Sequence, residues 1–132
     1  MPSFLSPLLG APADGFELRH ARTGTVVARH LLPAFDSRAA RTGLLAHATM
    51  DPDTAMIIAT SAIHTWFMRF PIDVAFVARD GRIVKTRTHL RPWRMAAALG
   101  AFAVVELAAG ALDRAGARAG DDERDADLAE PV

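Results

Sequence analysis

Apolar and polar positions alternate most clearly in the middle of the chain. From residue 64 a period of two puts His64, Trp66, Met68 and Phe70 on one side and Thr65, Phe67 and Arg69 on the other, as in a strand whose successive side chains point to opposite faces. Pro71 has no N–H to give to a ladder, so the strand is expected to end there and the chain to turn a corner. The strand resumes from Asp73 to Ala78 and runs into Asp80-Gly81, a strong short-range hairpin signal. With those two residues as the loop, Val77 pairs with Val84, Phe76 with Lys85, Ala75 with Thr86, Val74 with Arg87 and Asp73 with Thr88. Neither face of this hairpin is purely polar, which places it in the middle of a sheet with material packed on both sides, as in a sandwich or barrel.

The flanking pattern is weaker but of the same kind. Residues 16 to 32 read as two short strands joined by a Thr23-Gly24 turn, and Ala55 to Ala59 is an apolar run of strand length. Between them, Asp36-Ser37 offers an N-cap to a short helix over Arg38 to His47, where Gly43 costs about 1 kcal/mol relative to Ala. After the hairpin, His89 to Arg94 reads as a loop and Met95 to Gly100 as a helical turn or close-fitting loop. Ala101 to Leu107 is strand-like, and Ala111 to Ala117 suggests a short helix ending near Gly116. The expected fold is mainly β (α+β): a compact small β-sandwich or barrel with one or two short helices.

The 132 residues are enough for one domain with a real core and too few to make two probable. Residues 1 to 15 are expected to be an irregular lead. Their apolar patch of Phe4, Leu5, Leu8 and Leu9 is interrupted by prolines and lacks the basic start of a secretory signal. No run approaches the ~20 apolar residues of a spanning helix, so a cytoplasmic protein with no membrane partner is expected. Zero cysteines exclude disulfides, thiolate metal sites and a cysteine nucleophile.

Net charge is zero but unevenly spread: residues 61 to 112 carry seven Arg or Lys against three acids, and 113 to 132 carry three against seven. The middle is therefore basic, and the tail from residue 122 is expected to be acidic and solvated. A pI of about 7.0 gives little drive toward nucleic acid, which is not expected as a partner.

Candidate chemistry gathers at the Pro71 corner and the loop around Trp93. His64 and Asp73 flank the corner, and a carboxylate that orients an imidazole makes a usable general-base pair for a hydrolase-type reaction. Alternatively, Asp73 caps the bend through backbone N–H groups. Arg69 with Arg94 would clamp an anion beside the Trp93 face, or Arg69 would pair internally with Asp73 or Glu106. Glu106 sits in an apolar strand, where a charge must be paired or exposed. His64, His89, Asp73 and Glu106 lack the short spacing of a metal site, so neither metal nor cofactor is expected. Thr65 and Ser61 lack the Gly-x-Ser-x-Gly context of an activated hydroxyl.

Four separated stretches carry a family resemblance: His64-Thr-Trp-Phe-Met-Arg-Phe-Pro-Ile-Asp-Val-Ala-Phe-Val77, Arg91-Pro-Trp-Arg94, Val105-Glu-Leu-Ala-Ala-Gly110 and Ala119-Gly-Asp121. Together with Arg41-Thr-Gly-Leu-Leu45 they resemble the DUF192 family, also called UPF0127, of uncharacterised prokaryotic proteins. The resemblance covers residues 16 to 121 in order and implies a single compact β-rich domain over that span; since the family has no established activity, it points to none in particular. Departures are Ala46-His47 where Gly-Arg is usual, Ala108 where Pro is usual, and Asp122 to Asp125 where an apolar closing strand often follows, which puts a terminal strand in doubt.

Three functional readings follow. The leading one is a domain that binds a small polar or anionic molecule near the Pro71 corner and the Arg91 to Arg94 loop, with Arg69, Trp93, Arg94 and Glu106 as ligand-binding residues. The others are a hydrolase using His64 and Asp73, and a protein-interaction module marked by an exposed apolar patch or sheet edge. The sequence leaves the oligomeric state open.

Overall fold

The structure, a computed structural model, describes residues 17–19, 26–33, 50–117 and 127–129. Among these residues the chain forms strands β1 (Glu17–Arg19), β2 (Val26–Ala28), β3 (His30–Pro33), β4 (Thr54–Ile58), β5 (Ala62–His64), β6 (Ile72–Val77), β7 (Ile83–Leu90), β8 (Met95–Ala97), β9 (Ala103–Ala108) and β10 (Asp127–Ala129). A short helix, α1, spans Ala111–Ala115. The domain is thus β-rich, as expected. None of the described helices is long and apolar enough to cross a membrane. The expected helix over residues 38 to 47, the Thr23-Gly24 turn and the lead over residues 1 to 15 lie outside the described residues.

A five-stranded sheet in the order β3-β4-β9-β6-β7 forms the centre. β3 runs parallel to β4, and the other neighbours are antiparallel. Apolar residues occupy both faces of β4, β6 and β9, because these strands are covered on both sides. On one face Ala55, Ile57, Ala75, Val77, Ala103, Val105 and Leu107 pack with Ala28 of β2 and with Ala111, Leu112 and Ala115 of α1. On the other, Met56, Ile58, Val74, Phe76 and Val104 pack with Ile63 and Ala96 of the two-stranded β5-β8 ribbon and with Met68, Phe70 and Leu90. Phe76 and Ile57 are fully buried, and truncating such a Phe to Ala costs about 3–5 kcal/mol.

The hairpin keeps the expected register over Val74↔Arg87, Ala75↔Thr86 and Phe76↔Lys85, then departs at both ends. Val77 pairs with Ile83, and the Ala78 N–H donates to the Arg82 carbonyl at 2.8 Å. The loop therefore holds three residues, Arg79-Asp80-Gly81, rather than two. Gly81 takes a left-handed φ of 94°, which only glycine adopts freely. The hairpin also straddles the sheet's interior and rim. β6 is central, whereas β7 is an edge strand, and Lys85, Arg87 and a bulge near His89 discourage pairing with another chain.

The largest local correction concerns residues 64 to 70. Strand pairing stops at His64, and residues 65 to 70 form turns. Met68 and Phe70 are buried as the alternation predicts, but Trp66 joins Phe67 on the outside. Conversely, β7 continues to Leu90, and Met95 to Ala97 form a strand, so the loop after the hairpin contracts to residues 91 to 94. In the tail, β10 pairs antiparallel with β1 through Glu17↔Ala129, Leu18↔Leu128 and Arg19↔Asp127, a terminal strand that the sequence left open.

Candidate functional site

Two turns meet on the ribbon side of the central sheet. In the first, the Met68 N–H donates to the Thr65 carbonyl at 3.2 Å, and the third residue, Phe67, has φ 68°. The second, Arg91-Pro92-Trp93-Arg94, has Pro in its second position and Trp93 at φ 64° in its third. A positive φ at the third turn position ordinarily selects Gly or Asn, so a bulky aromatic there is a steric outlier. The Phe67 and Trp93 rings nevertheless meet, with centroids 4.6 Å apart and planes tilted by 59°. Both are largely exposed, at 66% and 56%.

Thr65 holds the two turns together and is itself fully buried. Its hydroxyl donates to the Arg91 carbonyl at 2.6 Å and accepts the Arg94 N–H at 2.9 Å, bridging the ends of the second turn. Its backbone N–H donates to the Arg94 carbonyl at 2.8 Å, and its carbonyl accepts the Trp93 N–H at 3.0 Å. Four of its bonds thus run to residues 91 to 94. Sequence reasoning considered Thr65 only as a nucleophile and missed this role.

The ridge continues along the ribbon. His64 stacks on Trp66 with centroids 4.6 Å apart and accepts the Trp66 N–H at Nδ1 over a long 3.4 Å. Across the ribbon His64 pairs with Met95, so both stand on the outward face, while Ile63 and Ala96 point into the core. Arg69, Arg91 and Arg94 are exposed around the ridge, and the Arg94 Nη1 donates to the Trp93 carbonyl at 3.3 Å. Of the expected ligand-binding residues, the structure brings Trp93 and Arg94 together with the turn that carries Arg69. Glu106 is fully buried in β9 beside Met56 and Val74, on the sheet face that the ribbon covers.

Asp73 belongs to a different construction on the opposite face. Fully buried, it accepts the His89 N–H at Oδ1 (2.9 Å) and the Gly110 and Leu112 N–H groups at Oδ2 (both 3.0 Å). It thereby joins β7 to the first turn of α1, whose own N-cap, Gly110, has no side chain to offer. His89 Nδ1 lies 4.0 Å from Oδ1. The expected pairing of His64 with Asp73 is therefore not formed. A sheet separates them, and the carboxylate is occupied by backbone donors, which is the capping role scaled up from a local bend to two distant segments. Arg69 does not pair with Asp73 either, being exposed while Asp73 is buried. Among the described residues no group of three or more metal-ligating side chains occurs.

Comparison with known proteins gives a family and a fold. Residues 20–124 match the family model DUF192, described as "Uncharacterized ACR, COG1430". Among solved structures, a Sinorhizobium meliloti 1021 protein proposed to be a transcription regulator superposes with a TM-score of 0.67 at 23% identity, covering 87% of this chain and 91% of that one. A protein of unknown function from Novosphingobium aromaticivorans DSM 12444 gives 0.64 at 19% identity, covering 86% and 82%. At such identities the likeness is one of fold alone. No curated protein matches the chain.

Proposed function

The chain belongs to the DUF192 family of uncharacterised proteins, and from that premise we propose that it is a binding domain whose recognition surface is the ridge formed by residues 65 to 70 and 91 to 94. Phe67 and Trp93 are its stacking wall, and Arg69, Arg91 and Arg94 its anchors for an anionic or polar group. The observation that supports this reading most is the pair of exposed aromatics in left-handed backbone. Each such residue costs on the order of 1–3 kcal/mol, and strain of this kind concentrates at functional sites. Backbone conformation alone would favour glycine at both places.

A thermal-shift titration with inorganic phosphate and with glycerol phosphate tests the reading. The native chain is expected to be stabilised, with the gain lost in Arg94→Ala and Trp93→Gly and kept in His64→Ala. No stabilisation by either anion, or equal stabilisation in all four proteins, overturns it. A hydrolytic reading has less support, because Asp73 caps α1 on the far side of the sheet and is not available to orient His64. The interaction-module reading gains from Trp66, Met95 and Leu99, which carry the apolar surface beyond the two turns.

A further inference from the structure

Those additional residues give the surface a distinctive shape. The outward face of the β5-β8 ribbon consists of Ala62, His64, Met95 and Ala97, with no Asp, Glu, Lys or Arg among them. It runs into Trp66 and the Phe67–Trp93 pair at one end and toward Leu99 at the other. Leu99 is fully exposed, and beside it Gly100 turns at φ 83° with nothing within 4 Å of where a Cβ would lie. Leu99 therefore stands out into open space at that end of the apolar surface.

Its surroundings are cationic. Between Asp53 and Asp73, and again between Asp80 and Glu106, the sequence contains no acidic residue. These two segments build the ridge and carry Arg69, Lys85, Arg87, Arg91 and Arg94, while Arg82 at the hairpin turn pairs with Asp80 at 3.7 Å. Lys85 reaches the ribbon directly, its Nζ donating to the Ala97 carbonyl at 2.8 Å, which places the basic face of β7 beside β8.

We infer that this ridge docks peripherally on an anionic lipid bilayer, an inference that rests on reading the same ridge as an anion-recognition surface. Headgroup phosphates meet Arg69, Arg91 and Arg94, while Phe67, Trp93, Met95 and Leu99 enter the interfacial layer. Tryptophan with an apolar body and a polar N–H suits that layer, and basic residues beside it add attraction to anionic lipid. A second copy of the chain fits less well, since a two-fold contact through this face would set arginine against arginine without an acid between them. A rigid protein partner would have to supply acidic cavities shaped to each protruding side chain, whereas a bilayer conforms to them. The expectation of no membrane partner rested on the lack of a spanning segment, and peripheral docking needs none.

The chain's two tryptophans, Trp66 and Trp93, are both on the ridge, so their emission reports docking without a label. The full chain is expected to cosediment with phosphatidylcholine vesicles containing phosphatidylglycerol, with a blue shift in emission, and not with phosphatidylcholine alone. Leu99→Asp, at a fully exposed position, leaves unfolding unchanged and lowers partitioning about tenfold or more. Arg94→Gln lowers it about fivefold, and added salt weakens the native chain's binding.

Absence of binding to the anionic vesicles overturns the inference, as does undiminished partitioning of Leu99→Asp. If glycerol phosphate still binds through Arg94 while vesicles do not, the anion site stands and its lipid identity falls. If neither binds, both readings fall. Capture by poly-glutamate through the same arginines, without vesicle binding, replaces the lipid with an acidic protein partner.

Discussion

Asp73 and Thr65 solve the same problem with opposite results. Each is a fully buried polar side chain that collects backbone groups from segments far away in sequence. Asp73 gathers donors from β7 and α1 and leaves them inside the protein. Thr65 ties two turns whose aromatic side chains then stand in solvent. Buried hydrogen bonding thus makes the first region a lock and the second a mount. The difference lies in what the tied segments carry outward: beyond Asp73 are α1 and the core under it, beyond Thr65 are Phe67, Trp93 and three arginines.

The sharpest way to break this contrast is to remove the carboxylate. Asp73→Ala strands three N–H donors that now bond a charged acceptor, so a loss of about 3–5 kcal/mol is expected in urea unfolding. That is a large part of a typical domain's 5–15 kcal/mol. If the variant is too unstable to measure, Asp73→Asn, which keeps one acceptor oxygen, should lose roughly half as much. A loss below about 1 kcal/mol would show that the three bonds are not what joins β7 to α1.

Next in size is Thr65→Val, which keeps the shape and removes the hydroxyl. A loss of about 1–3 kcal/mol is expected from the unmet Arg94 N–H and Arg91 carbonyl, with anion or vesicle binding lost as well. Thr65→Ser should retain both. If Thr65→Val binds as the native chain does, the ridge does not depend on its mount.

These two nodes also mark the limit of what the sequence discloses. Local signals were legible: Asp80-Gly81 set the central register of the hairpin, period-two runs located β6 and β9, and Gly116 marked the end of α1. Asp73 and Thr65 act through partners 16 to 39 residues away, which no local pattern encodes. The turn at Phe67 was hidden for a further reason. An aromatic-rich alternating run has high strand propensity, and only tertiary contacts through Thr65 hold its backbone in a left-handed turn. The exposure of Trp93 and Arg94 was nevertheless legible, because an arginine-flanked tryptophan after a proline reads as an exposed loop. The full burial of Glu106 was not legible, since only the sheet order shows that β9 is central and covered on both faces.

The smallest expected effect is the most informative about the mount. Phe67→Gly removes a large side chain, yet its consequences nearly cancel. Relief of a left-handed aromatic returns about 1–2 kcal/mol. Loss of the Phe67–Trp93 contact costs about 0.5–1.5 kcal/mol, and glycine's extra unfolded-state entropy costs about 0.5–1 kcal/mol. Net stability should therefore stay within about 1 kcal/mol of native, while binding at the ridge falls. A double-mutant cycle with Trp93→Gly should isolate a coupling of about 0.5–1.5 kcal/mol for the ring pair. A loss of several kcal/mol from Phe67→Gly alone would mean that Phe67 supports the core as a buried residue does, and the distinction between lock and mount would fail at its exposed end.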